Sequence, residues 1–559
     1  MNEFSLLWPD GQPTRTWPVA PETFRDLELG AIVRAICTQP RYERALHDHF
    51  GQLCLDEATI RYRQTLLQDL DAQPEFTRLL TEALPLLEEL ALPGLRQKKQ
   101  VDSLPAVLLR ARELELLVAT VQGLQTAFAA VVGVLQSEGL RRWQAAIAEL
   151  AGDSQFQALC LELPELLSAL RGRASITIGV NLDHQLRPEA AVLLAVNAER
   201  FTESSLLDRL FGKGKTGLRG IAPLHQPPLV NPTGGSGTPQ RLSAQMVPLF
   251  QDLAKILEHI AEPVARELRK FAQLHGRWLA ARHDELLFYL QALALWQRLQ
   301  GAGLTLSFPA IVPAAERRLE AASAFNLQLA LRELDRRDEI PVDQRIVKND
   351  IQFGEDGRIA ILTGPNQGGK TTYMQSIGLV QVLAQLGLPV PAAAASVSPA
   401  DGIYTHYPVE EQLALGTGRF GDEAQRLRAI FEMATSESLV LLNESLATTG
   451  IQEGLRVARD IMGAFRQIGL RAVFTTHLYE LAAAIGELNA HVAGTSRLFS
   501  LVASRPETGT EATSGNSYRV TPGPPLGRSF AEQIALRYGI SHEQLQALLR
   551  ERALLEEEE

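Results

Sequence analysis

The residues Gly364-Pro365-Asn366-Gln367-Gly368-Gly369-Lys370-Thr371 have the types and spacing of a loop that wraps phosphate. Glycines at 364, 368 and 369 let backbone N–H groups curl around anionic oxygens with no Cβ in the way. Lys370 is long enough to reach the outer phosphates, and the Thr371 hydroxyl, followed by Thr372, is a hard-oxygen ligand suited to Mg²⁺. A second group lies downstream at Asn443-Glu444. In phosphate-transfer sites this position normally carries an acid that holds Mg²⁺, followed by a glutamate that polarises the attacking water. Here the first is the neutral Asn443, which weakens metal binding, while Glu444 stays a candidate general base. His477 is a third candidate, able to contact a γ-phosphate or the attacking water.

These side chains need elements to bring them together. Arg358–Leu362 is an apolar run of strand length, and helical spacing follows from Thr371 to Leu386, so the loop lies in a strand–loop–helix context. Ser438–Leu442 and Ala472–Thr476 are further strand-like runs that end at Asn443 and His477. Strand ends are where open α/β sheets bind ligands. Gly214-Lys215-Thr216 also reads GKT, but position 209 is Arg209 and the first glycine is missing, so it reads as a flexible basic loop.

The motif residues Leu362 to Met374 closely resemble the P-loop of the MutS mismatch-repair ATPases. The resemblance continues through Gly387–Ala392, Ile403-Tyr404-Thr405, Gly416-Thr417-Gly418-Arg419-Phe420, Asn443-Glu444, Thr475–Leu481 and Gly527–Ala531. It covers roughly residues 345–550, with a looser likeness from Ile60 to Gln64 to the start of the family's helical core. It implies a multidomain protein: an α-helical core and lever domain, an α/β P-loop (ABC-type) ATPase domain and a short helical tail. It also implies a homodimer, with ATP and Mg²⁺ held between one subunit's P-loop and the other's signature loop at Gly416, Gly418 and Arg419. By match, Asn366, Lys370 and Thr371 bind triphosphate and metal, Glu444 activates water and His477 senses the γ-phosphate. Ile346 falls where the family stacks an aromatic ring on adenine. Two departures, Asn443 and Gly418 in place of the signature serine, imply slow hydrolysis or a binding switch. Arg419 either supplies positive charge in trans or is a solvated surface arginine.

At chain scale, 559 residues exceed one ordinary core. The expected division is an irregular arm at 1–22, a helical core and lever over 23–330, the ATPase domain over 331–520 and a helical dimerisation tail over 521–559. Within the second segment, 175–180 reads as a strand that pairs with 191–196, or 189–198 forms a buried helix instead. Residues 211–241 read as a Gly/Pro-rich loop, and helices from about 242 to 300 bend or break at Pro263.

The net charge of −11 repels nucleic acid on average, but docking depends on local charge. Lys213, Lys215 and Arg219 suit sequence-independent contact with double-stranded or branched DNA, as the family resemblance implies; a plain linker is the alternative. The family's N-terminal mismatch-reading domain is expected to be missing. The Phe-x-Glu strings at Phe201, Phe353 and Phe530 carry no weight as its wedge. Three scattered cysteines outside any CxxC pair, no basic-apolar leader and no membrane-length apolar run point to a reduced cytoplasmic protein without a membrane partner. The function expected is therefore an ATP-gated clamp on DNA of the repair or recombination class. The alternative is a nucleotide-gated scaffold with a degenerate ATPase, acting on a ribosome or another protein.

Overall fold

The computed structural model describes residues 4–92, 104–171, 175–197, 202–203, 219–220, 262–503, 518–525, 539 and 541–552. Shorter gaps within these ranges lie at 14, 183, 186–187, 337–338, 366–367, 409–418 and 447–449. The chain forms two compact units that are discontinuous in sequence: Met1–Thr77, Gly133–Arg142 and Asp284–Glu559 make one, Arg78–Val132 and Trp143–His283 the other.

The first unit is built on a six-stranded sheet. Its order is Ile403–His406, Leu439–Asn443, Arg471–Thr475, Ile359–Thr363, Leu498–Ala503 and Val520–Pro522. The first five strands are parallel and the last is antiparallel. Three central strands are buried at every position, which is why they read as unbroken apolar runs without polar alternation. One face packs against the helix Lys370–Gln385. The helix Ile451–Ile468 contributes Ala458, Ile461, Met462 and Phe465 to a core shared with Ile359, Val440, Leu442 and Phe474. A smaller four-stranded sheet runs Ala310–Ile311, Ala394–Val397, Leu319–Ala324 and Asn349–Phe353.

The first 77 residues belong to this unit. Within the stretch expected as an irregular arm, Thr16–Pro18 pairs antiparallel with Gln52–Cys54. The helix Pro21–Asp26 then docks on the sheet edge: Thr23 Oγ1 donates to the Ile403 carbonyl at 2.9 Å, and Thr405 Oγ1 donates to Asp26 Oδ2 at 2.8 Å. Burying Asp26 is tolerable because its carboxylate is also met by Arg25. Such long-range hydrogen bonds leave no periodic trace in a sequence.

The second unit is largely helical, with Leu104–Ala129 and Ser154–Arg171 as its long helices. Trp143 is fully buried and meets Phe128 edge-on, with ring centroids 5.6 Å apart. Ser175–Leu182 and Pro188–Asn197 form an antiparallel hairpin with Ile176 opposite Val196, so the strand alternative holds here and the buried helix does not. The β-branched residues Ile176, Ile178 and Val180 suit that pleat. Helix resumes by 262 and includes Pro263, but the break comes later, at 270–276. There Arg110 Nη2 donates to the Phe271 and Leu274 carbonyls at 2.6 and 2.7 Å, satisfying acceptors that the helix end leaves open. Near the C-terminus, His542–Glu551 is helical. No helix among the described residues is long and apolar enough to cross a membrane.

Candidate functional site

The phosphate loop leaves the buried strand Ile359–Thr363 at Gly364, whose φ is 147°. A Cβ there would lie 2.6 Å from the Ala503 carbonyl oxygen, so the loop can run this close to the neighbouring strand only with glycine. Gly369, at φ 85°, then turns the chain into the helix Lys370–Gln385, and no side chain caps that N-terminus. A helix N-terminus with uncapped N–H groups and its positive dipole end is suited to an anion.

Lys370 is 4% exposed. Its Nζ donates to the Gly364 and Pro365 carbonyls, each at 3.1 Å, and lies 3.8 Å from Glu444 Oε1. Burial lowers its pKa, and the Glu444 charge works against that. A buried ammonium held mainly by loop carbonyls fits a site made for a phosphate.

The acid strand and the histidine strand are neighbours, with Asn443 opposite Thr475. Asn443 Oδ1 accepts from Thr371 Oγ1 at 3.1 Å and from Thr475 Oγ1 at 2.8 Å. The carboxamide oxygen thus takes the position of the expected carboxylate oxygen but carries no full charge. Two hard, neutral oxygens, from Thr371 and Asn443, fit Mg²⁺ when phosphate oxygens and water complete its shell.

Glu444 follows at φ 48°, a left-handed conformation costing on the order of 1 kcal/mol for a non-glycine residue. Its N–H donates to the Thr475 carbonyl at 2.9 Å. Its Oε1 lies 3.1 Å from His477 Nε2. That contact holds the Glu444 carboxyl below its ordinary pKa, outweighing the opposite effect of burial, with Lys370 adding to it. An ionised, half-buried carboxylate beside a phosphate loop is placed to take a proton from water.

Lys370, Thr371, Thr372, Gly368, Gly369 and Glu444 all line one cavity of about 560 Å³. Phe325, Val347, Asn349 and Tyr518 line it too, so it extends past the phosphate loop. Arg345 and Glu333 form a largely buried ion pair on its wall. Asn326 caps the helix Leu327–Leu334 through Leu329 N and donates to the Thr372 carbonyl at 3.1 Å, tying that wall to the P-loop helix. Ile346 is itself buried, and the lining residues are its neighbours Arg345 and Val347. A larger cleft of about 930 Å³, sharing Asn349 and Tyr373 with this cavity, is bordered among the described residues by Glu320, Asp350, Glu355 and Asp356 against the single cation Arg519, a net negative lining that opposes a phosphate ligand.

Asn366, Gln367, Gly416, Gly418, Lys213 and Lys215 lie outside the described residues. Arg419 opens the helix Arg419–Met433 and Arg219 lies in the short strand Arg219–Gly220, but neither side chain is described. Sequence reasoning missed Thr475 and Tyr518. Thr475 could have been found, because it ends the strand leading to His477 and so reaches the same edge as Asn443. Tyr518 gave no such signal; the fold brings it to the cavity, where its Cβ lies 3.3 Å from the position a Gly369 Cβ would take and its carbonyl accepts from Asn349 Nδ2 at 3.1 Å.

A parallel sheet carrying a phosphate loop, an acid and a histidine at adjacent strand ends defines a P-loop nucleotide-binding domain. Two family models match the chain, MutS domain V over residues 360–504 and the MutS2 N-terminal domain over residues 55–302. The chain belongs to the MutS family. It is 31% identical over 301 residues to Endonuclease MutS2 of Thermomicrobium roseum, a span of 52% of this chain and 35% of that protein. It is 34% identical over 219 residues to Endonuclease MutS2 of Thermus thermophilus, covering 39% of this chain and 28% of the relative. With the DNA mismatch repair protein MutS of Synechococcus sp. it shares 40% identity over 146 residues, covering 25% and 16%. The chain thus spans about a third or less of the length of these relatives.

Proposed function

We propose that this chain binds and slowly hydrolyses ATP, and that ATP gates its action as a homodimeric clamp on double-stranded or branched DNA. The observation that carries the reading is one cavity lined by Lys370, Thr371 and Glu444, with Asn443 and His477 bonded behind them. In this mechanism Lys370 Nζ exchanges its two loop carbonyls for β- and γ-phosphate oxygens, and Gly368 and Gly369 present backbone N–H groups to the same anion. Mg²⁺, held by Thr371 and Asn443, would neutralise part of the triphosphate charge. Glu444 accepts a proton from water as its oxygen attacks the γ-phosphorus and the bond to the β-phosphate oxygen breaks. His477 keeps Glu444 ionised and in place. The part of the cavity beyond the phosphate loop, lined by Phe325, Val347 and Tyr518, takes the base, with Ile346 behind Arg345 and Val347. Gly416, Gly418 and Arg419 of a second copy close over the γ-phosphate. Lys213, Lys215 and Arg219 contact DNA phosphates. A cytoplasmic location suits such a DNA partner.

The test is ATP turnover measured alone and with linear, mismatched and branched duplexes, with Glu444→Gln as control. Turnover should disappear in that variant while ATP binding persists, and DNA affinity should change with ATP and fall with salt. No binding to any of these DNAs at low salt, with or without ATP, would falsify the clamp. A second reading, a nucleotide-gated scaffold on a ribosome or protein partner, draws on the neutral Asn443. Glu444-dependent turnover well above background would exclude it.

A further inference from the structure

The turn that presents Glu444 has left-handed residues on both sides of Ser445: Glu444 at φ 48° and Leu446 at φ 69°. A non-glycine turn of this kind persists only when its surroundings hold it. Ser445 is buried, and its Oγ lies 2.6 Å from Nδ1 of His406, which is itself 1% exposed. The same Oγ donates to the His406 backbone carbonyl at 3.4 Å, so the imidazole supplies the proton of the shorter bond through Nδ1–H. His406 ends the sheet's edge strand in register with Leu442 of the acid strand, which precedes Ser445 by three residues. The next residue, Tyr407, accepts from Arg426 Nη1 through its carbonyl at 3.0 Å, and Arg426 lies on the helix Arg419–Met433. A hydrogen-bonded chain thus runs from the Glu444 turn through Ser445, His406 and Tyr407 to the helix that begins at Arg419.

We propose that His406 is a positioning residue that holds the Glu444 turn in its hydrolytic conformation and ties it to the helix Arg419–Met433. The proposal rests on the reading of Glu444 as the base for ATP hydrolysis. Its action is through Ser445 and needs no contact between His406 and nucleotide.

The experiment uses the full chain with His406→Leu, His406→Asn, Ser445→Ala and the His406→Leu/Ser445→Ala double variant. Steady-state ATP turnover is measured beside the affinity for a fluorescent methylanthraniloyl-ATP and hydrogen exchange of residues 419–433 with and without ATP. His406→Leu and Ser445→Ala should each lower kcat by about 10- to 100-fold while analogue affinity stays within about twofold. The double variant should be no worse than either single one. His406→Asn should recover most of the turnover, because its amide N–H can still donate to Ser445 Oγ. ATP should change exchange across 419–433 in the parent chain, and His406→Leu should lose that change. Unchanged kcat in Ser445→Ala, parallel losses of kcat and affinity, or additive losses in the double variant would each overturn the proposal. If His406→Leu does not fold, Ser445→Ala and His406→Asn decide by the same criteria, read on turnover and on exchange. A parent chain that binds the analogue without turnover defeats the hydrolysis reading alone; exchange then decides, and a change retained in the His406 or Ser445 variants overturns the tie. A parent chain that binds no analogue overturns both.

Discussion

At the scale of single residues, the exchange of a carboxylate for an amide at Asn443 is the main departure within the site. The Asn443 oxygen keeps two hydroxyl partners, so Asn443→Asp should preserve the geometry and add charge. The Mg²⁺ concentration giving half-maximal turnover should fall by about tenfold, as read from a metal titration of the ATPase rate. His477→Ala removes the largest influence that lowers the Glu444 pKa, so that pKa should rise. The acid limb of kcat/KM should then move to higher pH; a limb that stays put would show that His477 does not hold the base. His406 makes a separate, pH-linked contribution to stability. Burial and, next, Arg426 hold its pKa down to about 4, from 6.5. Between those values the unfolded chain binds more protons than the folded one, so stability should fall as pH drops through this window. The loss should be on the order of 3 kcal/mol, and His406→Asn should remove most of that dependence in urea unfolding across the same range.

At the scale of elements, strands and their connections place the chemistry. The P-loop strand, acid strand and histidine strand were legible because a strand buried on both faces is apolar at successive positions, and each run ends in a polar group. Their lateral order was not legible, because pairing joins residues far apart in sequence. Gly364→Ala tests the tightest point of this arrangement. With the Ala503 carbonyl 2.6 Å from the new Cβ, strand and loop must separate. A stability loss of about 2–4 kcal/mol is expected, with weakened ATP binding measured by fluorescence titration. In the helical unit, Trp143→Ala should cost about 3–5 kcal/mol in denaturant unfolding, because the indole is fully enclosed and packs on Phe128. The break at 270–276 escaped a periodicity reading because a tertiary contact, Arg110 on two carbonyls, makes it favourable there.

At the scale of the whole molecule, the proposed signature loop requires a second copy. ATP should therefore increase the sedimentation coefficient in a concentration-dependent way, most clearly in Glu444→Gln, where turnover cannot reverse it. DNA affinity should fall steeply between about 50 and 200 mM salt if the basic loop meets phosphates despite the net charge of −11. Both outcomes concern assembly, and a chain that stays monomeric at all ATP concentrations would remove the composite site.

By itself the sequence determined the phosphate loop, the acid and histidine strands and the family, since each is a local pattern: glycines where a backbone must approach an anion, apolar runs where a strand is buried, and a polar residue at the strand end. It also contained Asn443, Thr475, Ser445 and His406 without showing that they meet. Only the tertiary structure decided that one amide oxygen accepts from both Thr371 and Thr475, that His477 is hydrogen-bonded to Glu444, and that His406 reaches Ser445 behind the Glu444 turn. It likewise decided that residues 1–77 pack with the nucleotide domain. Hydrogen bonds across a parallel sheet join strands that the chain visits far apart, so their partners are set by the order of strands in space and not by spacing along the chain.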